Sequence, residues 1–198
     1  MVGGILRALH FIIRCLPTYQ FVQFVDNQGG GSSLVLGIGL PVGFDSTGSN
    51  ASGSMSDPDA YGGYKLFISP SFLPVALAYS NITADYDKST NTSVQGTEKH
   101  TIYEIVIRIP LGEFGMGIGL GVGTVAFSSD DSTTIVEDSN STAYSVSLVT
   151  PPLVGPLLLV GGLGVIDASD SDVKTNGTKS GTYNASATIP YLGIMFAF

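Results

Sequence analysis

The chain has no tryptophan, one cysteine and two histidines, and only 12% of its 198 residues are charged. A lone Cys15 excludes an internal disulfide and gives no zinc spacing. The charged share is about half the ~25% usual in soluble domains, too little to keep a water-facing surface wet. Yet no run of ~20 uninterrupted apolar residues occurs, which speaks against a helical membrane span. With a net charge of −8 and no basic cluster, the chain lacks the surface that neutralises phosphates, so nucleic-acid binding is excluded. What is present is glycine (26 residues) and a 43% hydrophobic content. An apolar chain without a helical span has the closed barrel as its other way to satisfy backbone groups in lipid.

From Ser33 onward the sequence repeats one scheme of alternating segment, polar loop, alternating segment and tight turn. Eight segments follow it: Ser33–Asp45, Ala60–Ser69, Leu73–Ile82, His100–Pro110, Phe114–Phe127, Ala143–Thr150, Pro156–Ala168 and Gly181–Phe198. Most approach the ~9–11 residues a tilted strand needs to cross a bilayer, and no helical period competes. Long polar connections (46–59, 83–99, 128–142, 169–180) alternate with short ones (70–72, 111–113, 151–155). Long loops at one rim and short turns at the other are the habit of outer-membrane barrels. Most of the 16 acidic residues fall in or beside the long connections. The expectation is an all-β, up-and-down antiparallel transmembrane barrel of eight strands over residues 33–198, preceded by a leader, helix or lead-in over 1–32. The competing fold is a soluble β-sandwich with the bulky face as its core. Its outer face would then be Gly and Ala with few charges, which suits water poorly.

Parity separates two faces. In the fifth segment Met116, Ile118, Leu120 and Val122 share one, and Gly115, Gly117, Gly119, Gly121 and Gly123 the other. The bulky face is assigned to lipid and the small or charged face to the lumen. Phe44, Tyr64, Tyr79, Tyr103 and Tyr144 then fall on the bulky face near the long-loop ends, where an interfacial aromatic girdle belongs. Lys65, Glu104 and Arg108 fall inside. Buried charges need partners, so they read as a salt-bridge network filling the barrel, or as the lining of a narrow passage among the interior glycines.

The final strand reads Tyr191-Leu192-Gly193-Ile194-Met195-Phe196-Ala197-Phe198. This resembles the carboxy-terminal β-signal of bacterial outer-membrane proteins, with Tyr191 at the polar position and Gly193, Phe196 and Phe198 matching the rest. The strand count is similar to that of the small barrels of the OmpA, OmpX and OmpW type. The resemblance implies an outer-membrane location with extracellular long loops. It also implies an assembly machinery that reads the last strand, and contact with lipid and lipopolysaccharide. Nothing in the sequence calls for a cofactor. Before the barrel, Arg7, His10 and Arg14 share one helical face. Three readings stand there: a surface-lying amphipathic helix like the one preceding the lipid A palmitoyltransferase barrel, an uncleaved signal, or a wrongly chosen start.

For catalysis, His100 lies at a long-loop mouth near Ser128, Ser129 and Asp130 in sequence reckoning, but no motif of a barrel enzyme accompanies it. The run Asp167–Asp172 is acidic without the glycine and terminal glutamate of an EF-hand. The N-x-[ST] sequons at Asn50, Asn81, Asn91, Asn140, Asn176 and Asn184 follow from loop composition. The sequence leaves three functions: a non-enzymatic structural barrel or narrow pore for small apolar solutes, a surface-binding barrel acting through acidic loops, or an outer-leaflet lipid enzyme using His100.

Overall fold

The period-two alternation is realised as long antiparallel strands. The computed structural model describes residues 34–50, 53–54, 57–70, 73–86 and 95–198. Its eight wall strands are β1 (Leu34–Pro41), β2 (Ala60–Pro70), β3 (Val75–Tyr86), β4 (Gly96–Leu111), β5 (Phe114–Ser129), β6 (Ser139–Val149), β7 (Leu157–Ala168) and β8 (Ala187–Ala197). Each pairs with its sequence neighbour, and β8 closes on β1 from Val35–Ala197 to Pro41–Tyr191. Closure removes the unpaired edges that an open sheet would expose. The register climbs around the wall: Ile38 faces Leu66, then Tyr79, Tyr103, Val122, Thr142 and Asp167 follow in turn. A ring that starts within β1 thus ends near the loop end of β7, the stagger that tilted barrel strands require. No helix occurs among the described residues. The readings of segment 1–32 lie outside them.

Several boundaries differ from those the hydropathy marks. β4 begins at Gly96, so Glu98 and Lys99 are strand residues rather than loop. The connection after β7 is not bare loop. It holds a hairpin of Ser171–Thr175 and Thr178–Tyr183, to which Thr134–Val136 adds a third strand, and β8 starts only at Ala187. β1 stops at Pro41 and resumes as Asp45–Ser46, with its register on β8 slipped by one residue. Pro190 of β8 has no N–H to offer at this point, and a single bond from Val42 N to Pro190 O (2.9 Å) bridges the gap.

The bulky face points outward only over part of the barrel's height. Ile105, Ile118, Leu120, Val146, Leu148, Leu192 and Ile194 are exposed on the outer wall, while Lys65, Glu104, Ser145 and Ser147 are buried inside. Further toward the long loops the order reverses. Ile82, Ile102, Val125, Phe127, Ile166 and Ile189 are now buried, in one cluster with Val136, Val173 and Tyr183 of the loop strands. At that height Thr101, Thr124, Asn140, Thr142 and Asp167 face out. The change falls at the level of Tyr103 and Val122. Below it the wall has the chemistry of a surface facing hydrocarbon, and above it that of a surface facing water. On β4 the apolar stretch from Tyr103 to Leu111 rises roughly 20 Å at about 3.4 Å per residue and ~40° tilt, near the ~25 Å of a membrane band.

Candidate functional site

The lumen holds two polar clusters at different heights. In the lower one, Lys65 of β2 and Glu104 of β4 meet across the intervening β3. They can do so because β3 presents only Ala78 opposite Glu104 and Ser80 opposite Lys65. Lys65 Nζ donates to Glu104 Oε1 at 2.5 Å, and Ser145 Oγ from β6 donates to Glu104 Oε2 at 2.5 Å. The ammonium also lies 4.9 Å from the Tyr191 ring centroid and 5.7 Å from that of Phe67. The glycine stripe of β5 makes room for the carboxylate: a Cβ at Gly119 would come 2.7 Å from Glu104 Oε2. Every charge in this cluster has a partner, as a buried ion pair must. Beside it lies a cavity of about 30 Å³, bounded among others by Ser80, Ile82, Ile102, Ile189 and Tyr191.

Arg108 sits further toward the short-turn end of β4. Its guanidinium donates to Ser69 Oγ at 2.6 Å and to the Leu73 carbonyl at 3.4 Å. It ties β2 and the following turn to β4, at a lower level than the Lys65–Glu104 pair.

The upper cluster joins groups that the sequence scatters. Glu98 and His100, both inward on β4, are hydrogen-bonded through His100 Nε2 and Glu98 Oε1 and fully buried. The second oxygen of Glu98 accepts the Tyr183 hydroxyl at 2.5 Å. Tyr183 in turn packs tilted against Phe127 with centroids 5.0 Å apart, and Phe44 covers His100 at 5.7 Å. Burial, and next the charge of Glu98, push the Tyr183 hydroxyl well above the usual phenol range. His100 is therefore not at a mouth beside Ser128, Ser129 and Asp130. Val125 lies opposite it, and Ser128 and Ser129 lie opposite Thr97 and Gly96. Its described side-chain partner is a carboxylate rather than a serine, so no nucleophile–base pair is assembled there. Glu98 and Tyr183 were hidden in sequence because each lies in a stretch rich in polar residues. A glutamate two residues from the histidine, in phase with Ile102 and Glu104, was the available signal.

Of the expected aromatic girdle, Tyr64, Tyr79 and Tyr103 form a continuous cluster on the outer wall, with centroid separations of 6.1 Å and 5.2 Å. Tyr144 is exposed on the same wall. Phe44 is a correction: it is buried at 7% exposure, inside the barrel, against His100 and Tyr61. The break at Val42–Phe44 lets the chain change phase, and above the apolar band a large ring gains more from the core than from water. In the last strand Tyr191 is inward. Gly193 stands where a Cβ would come 2.1 Å from the Ile38 carbonyl of β1. Phe196 and Phe198 face out with centroids 6.5 Å apart, and Phe198 N donates to Leu34 O at 2.8 Å. In the acidic loop, Asp172 pairs with Lys179 at 2.5 Å and Asp170 accepts from Asn184 at 3.0 Å. Among the described residues no three His, Cys, Asp or Glu side chains gather to hold a metal ion.

The geometry defines a closed eight-stranded antiparallel barrel with a lumen occupied by side chains. Among solved structures it is similar to Neisserial surface protein A, with a TM-score of 0.60 at 10% identity over 84% of this chain and 98% of that one. At that identity the likeness carries the fold alone. No protein-family model matches the sequence, and no curated protein matches it.

Proposed function

We propose that the chain is a non-enzymatic barrel of a bacterial outer membrane, with a closed lumen, which works through its acidic long-loop end. The observation that carries this reading is the occupied interior. Lys65, Glu104, Ser145 and Tyr191 fill the lower lumen, and the cavity beside them, about 30 Å³, has room for no more than a few waters. A lumen so filled favours a structural or surface role over a standing pore. The apolar outer belt with its tyrosine row supports the membrane setting. So does the fold shared with Neisserial surface protein A. In this reading the long loops face outside the cell, and the final strand from Tyr191 to Phe198 is what the assembly machinery engages.

The test has two steps. After refolding into detergent, the unboiled chain is expected to run faster on a gel than the boiled one, the mark of a closed barrel. Reconstituted in planar bilayers, it is expected to give no stable conductance steps. Reproducible steps would replace the closed lumen with the narrow-pore reading.

A further inference from the structure

We propose that the lumen cavity beside Lys65 and Glu104 is a blind side pocket, entered through the wall between β1 and β2, that takes the hydroxyl head of a neutral single-chain amphiphile. The inference rests on the membrane reading above. The wall parts at one place. Pairing of β1 with β2 ends where Gly39 meets Lys65, whereas β2 stays on β3 as far as Ala60 opposite Asp85. β1 meanwhile follows β8 until Pro41 meets Tyr191, and Val42 N then donates to Pro190 O. Residues 40–43 and 62–64 are therefore neighbours in the wall with no strand pairing between them. Glycine keeps the gap clear: a Cβ at Gly62 would meet nothing within 4 Å. The Phe44 and Tyr61 rings close the wall above it, with centroids 6.5 Å apart. Pro41 and Tyr64, one on each side of the gap, both border the cavity that Lys65, Ser80 and Glu104 border from within.

Position and chemistry together select the occupant. Tyr64 belongs to the outer cluster with Tyr79 and Tyr103, at the top of the apolar band, so the gap faces the level where lipid meets water. Leu40 at its edge and Leu66 below it are exposed on the outer wall, a track for an alkyl tail. Inside, Ile102 and Ile189 form an apolar roof over a polar floor. On that floor both Glu104 oxygens are taken, one by Lys65 and one by Ser145. The Lys65 ammonium has three N–H groups and gives one to Glu104; its other neighbours are the faces of Tyr191 and Phe67, so it can donate again. A hydroxyl oxygen accepts that bond while its own proton goes to Ser80 Oγ. A carboxylate would instead be a second buried anion beside a pair that is already neutral, which burial strongly disfavours. With room for no more than a few waters, the cavity holds a terminal CH2OH group but not a phospholipid head.

The experiment places the full chain, with its isoleucine methyl groups labelled, in phosphatidylcholine nanodiscs and titrates octanol while methyl NMR spectra are recorded. Saturable shifts are expected at Ile102 and Ile189, which face the lumen. Ile105 and Ile118 on the outer wall should show only the gradual drift of alcohol dissolving in the bilayer. Ionised octanoate should bind at least about tenfold more weakly. Ala143→Leu, which fills the cavity from β6, should abolish the saturable shifts. Lys65→Met/Glu104→Leu, which removes the polar floor without orphaning a charge, should weaken binding about tenfold, the loss of one or two hydrogen bonds. Lumen methyls that never respond saturably, that respond as well to octanoate, or that respond equally in Ala143→Leu overturn the pocket. The comparison of octanol with octanoate needs no variant and stands if one fails to fold. A chain with no heat-modifiable mobility and no insertion overturns the membrane reading, and the pocket with it.

Discussion

Along β5 the lumen side carries glycine from Gly115 to Gly123 and then Val125 and Phe127, while the outer side passes from Leu120 and Val122 to Thr124 and Ala126. The same strand, with the same alternation, is thus apolar outside at one height and apolar inside at the next. Its lower half belongs to a barrel whose outer solvent is hydrocarbon and whose lumen tolerates Lys65, Glu104 and a row of serines. Its upper half belongs to an ordinary water-soluble core, with Phe127, Ile102, Tyr183 and Ile189 packed together and threonines outside. Period two says only that two faces differ. Which face is apolar is set by what lies outside the wall at that height.

The largest way to break the lower half is to orphan a charge. Lys65→Met leaves Glu104 buried without its cation and should cost about 3–5 kcal/mol, measured as a drop in the urea midpoint of the refolded barrel. Lys65→Met/Glu104→Leu should recover most of that loss, because removing both partners leaves no unpaired charge. The boundary itself is tested by moving one charge along one face. Leu120→Arg lies within the apolar band and should cost about 2–4 kcal/mol in lipid vesicles, whereas Thr124→Arg, beyond the boundary, should cost only about 0–1 kcal/mol. Equal costs would erase the boundary between the two halves.

The smallest effect concerns the upper half alone. The folded state holds the Tyr183 proton more tightly than the unfolded chain does. The stabilisation is therefore fully present below the ordinary phenol value of 10.0 and is lost as pH rises above it. Stability of the loop-side core should fall above pH 10 by at most about 1.4 kcal/mol per pH unit. Tyr183→Phe should flatten that dependence, read by hydrogen exchange at Phe127 and Val173 against Leu120 as an internal control. A dependence that survives in Tyr183→Phe would assign it to another group, with Tyr86, also pushed upward by burial, the first candidate.

The sequence was most legible where lipid, a closed lumen and backbone pairing impose one constant rule. The strand order and hairpin succession could be read from the alternating connections, and the outward set Ile118, Leu120 and Val122 by parity. It was least legible above the band. There Phe44 looked like a girdle residue because it carries the sign of alternation proper to the lower half, while Glu98 fell in a polar stretch that reads as loop and His100 at the edge of that stretch. The hairpin Ser171–Tyr183 carries too many polar residues to announce itself as strand, although Val173 and Tyr183 fill the core beneath it.

By itself, then, the sequence determined an all-β chain of alternating segments joined by long and short connections in turn. That much follows from local steric and hydropathic constraints that act between residues two apart. Only the tertiary structure decided that Lys65 reaches Glu104 across β3, that Tyr183 meets Glu98 from a distant hairpin, and where the outer wall changes from apolar to polar. Those outcomes depend on closure and stagger, which bring strands remote in sequence to one height, and no local period encodes height.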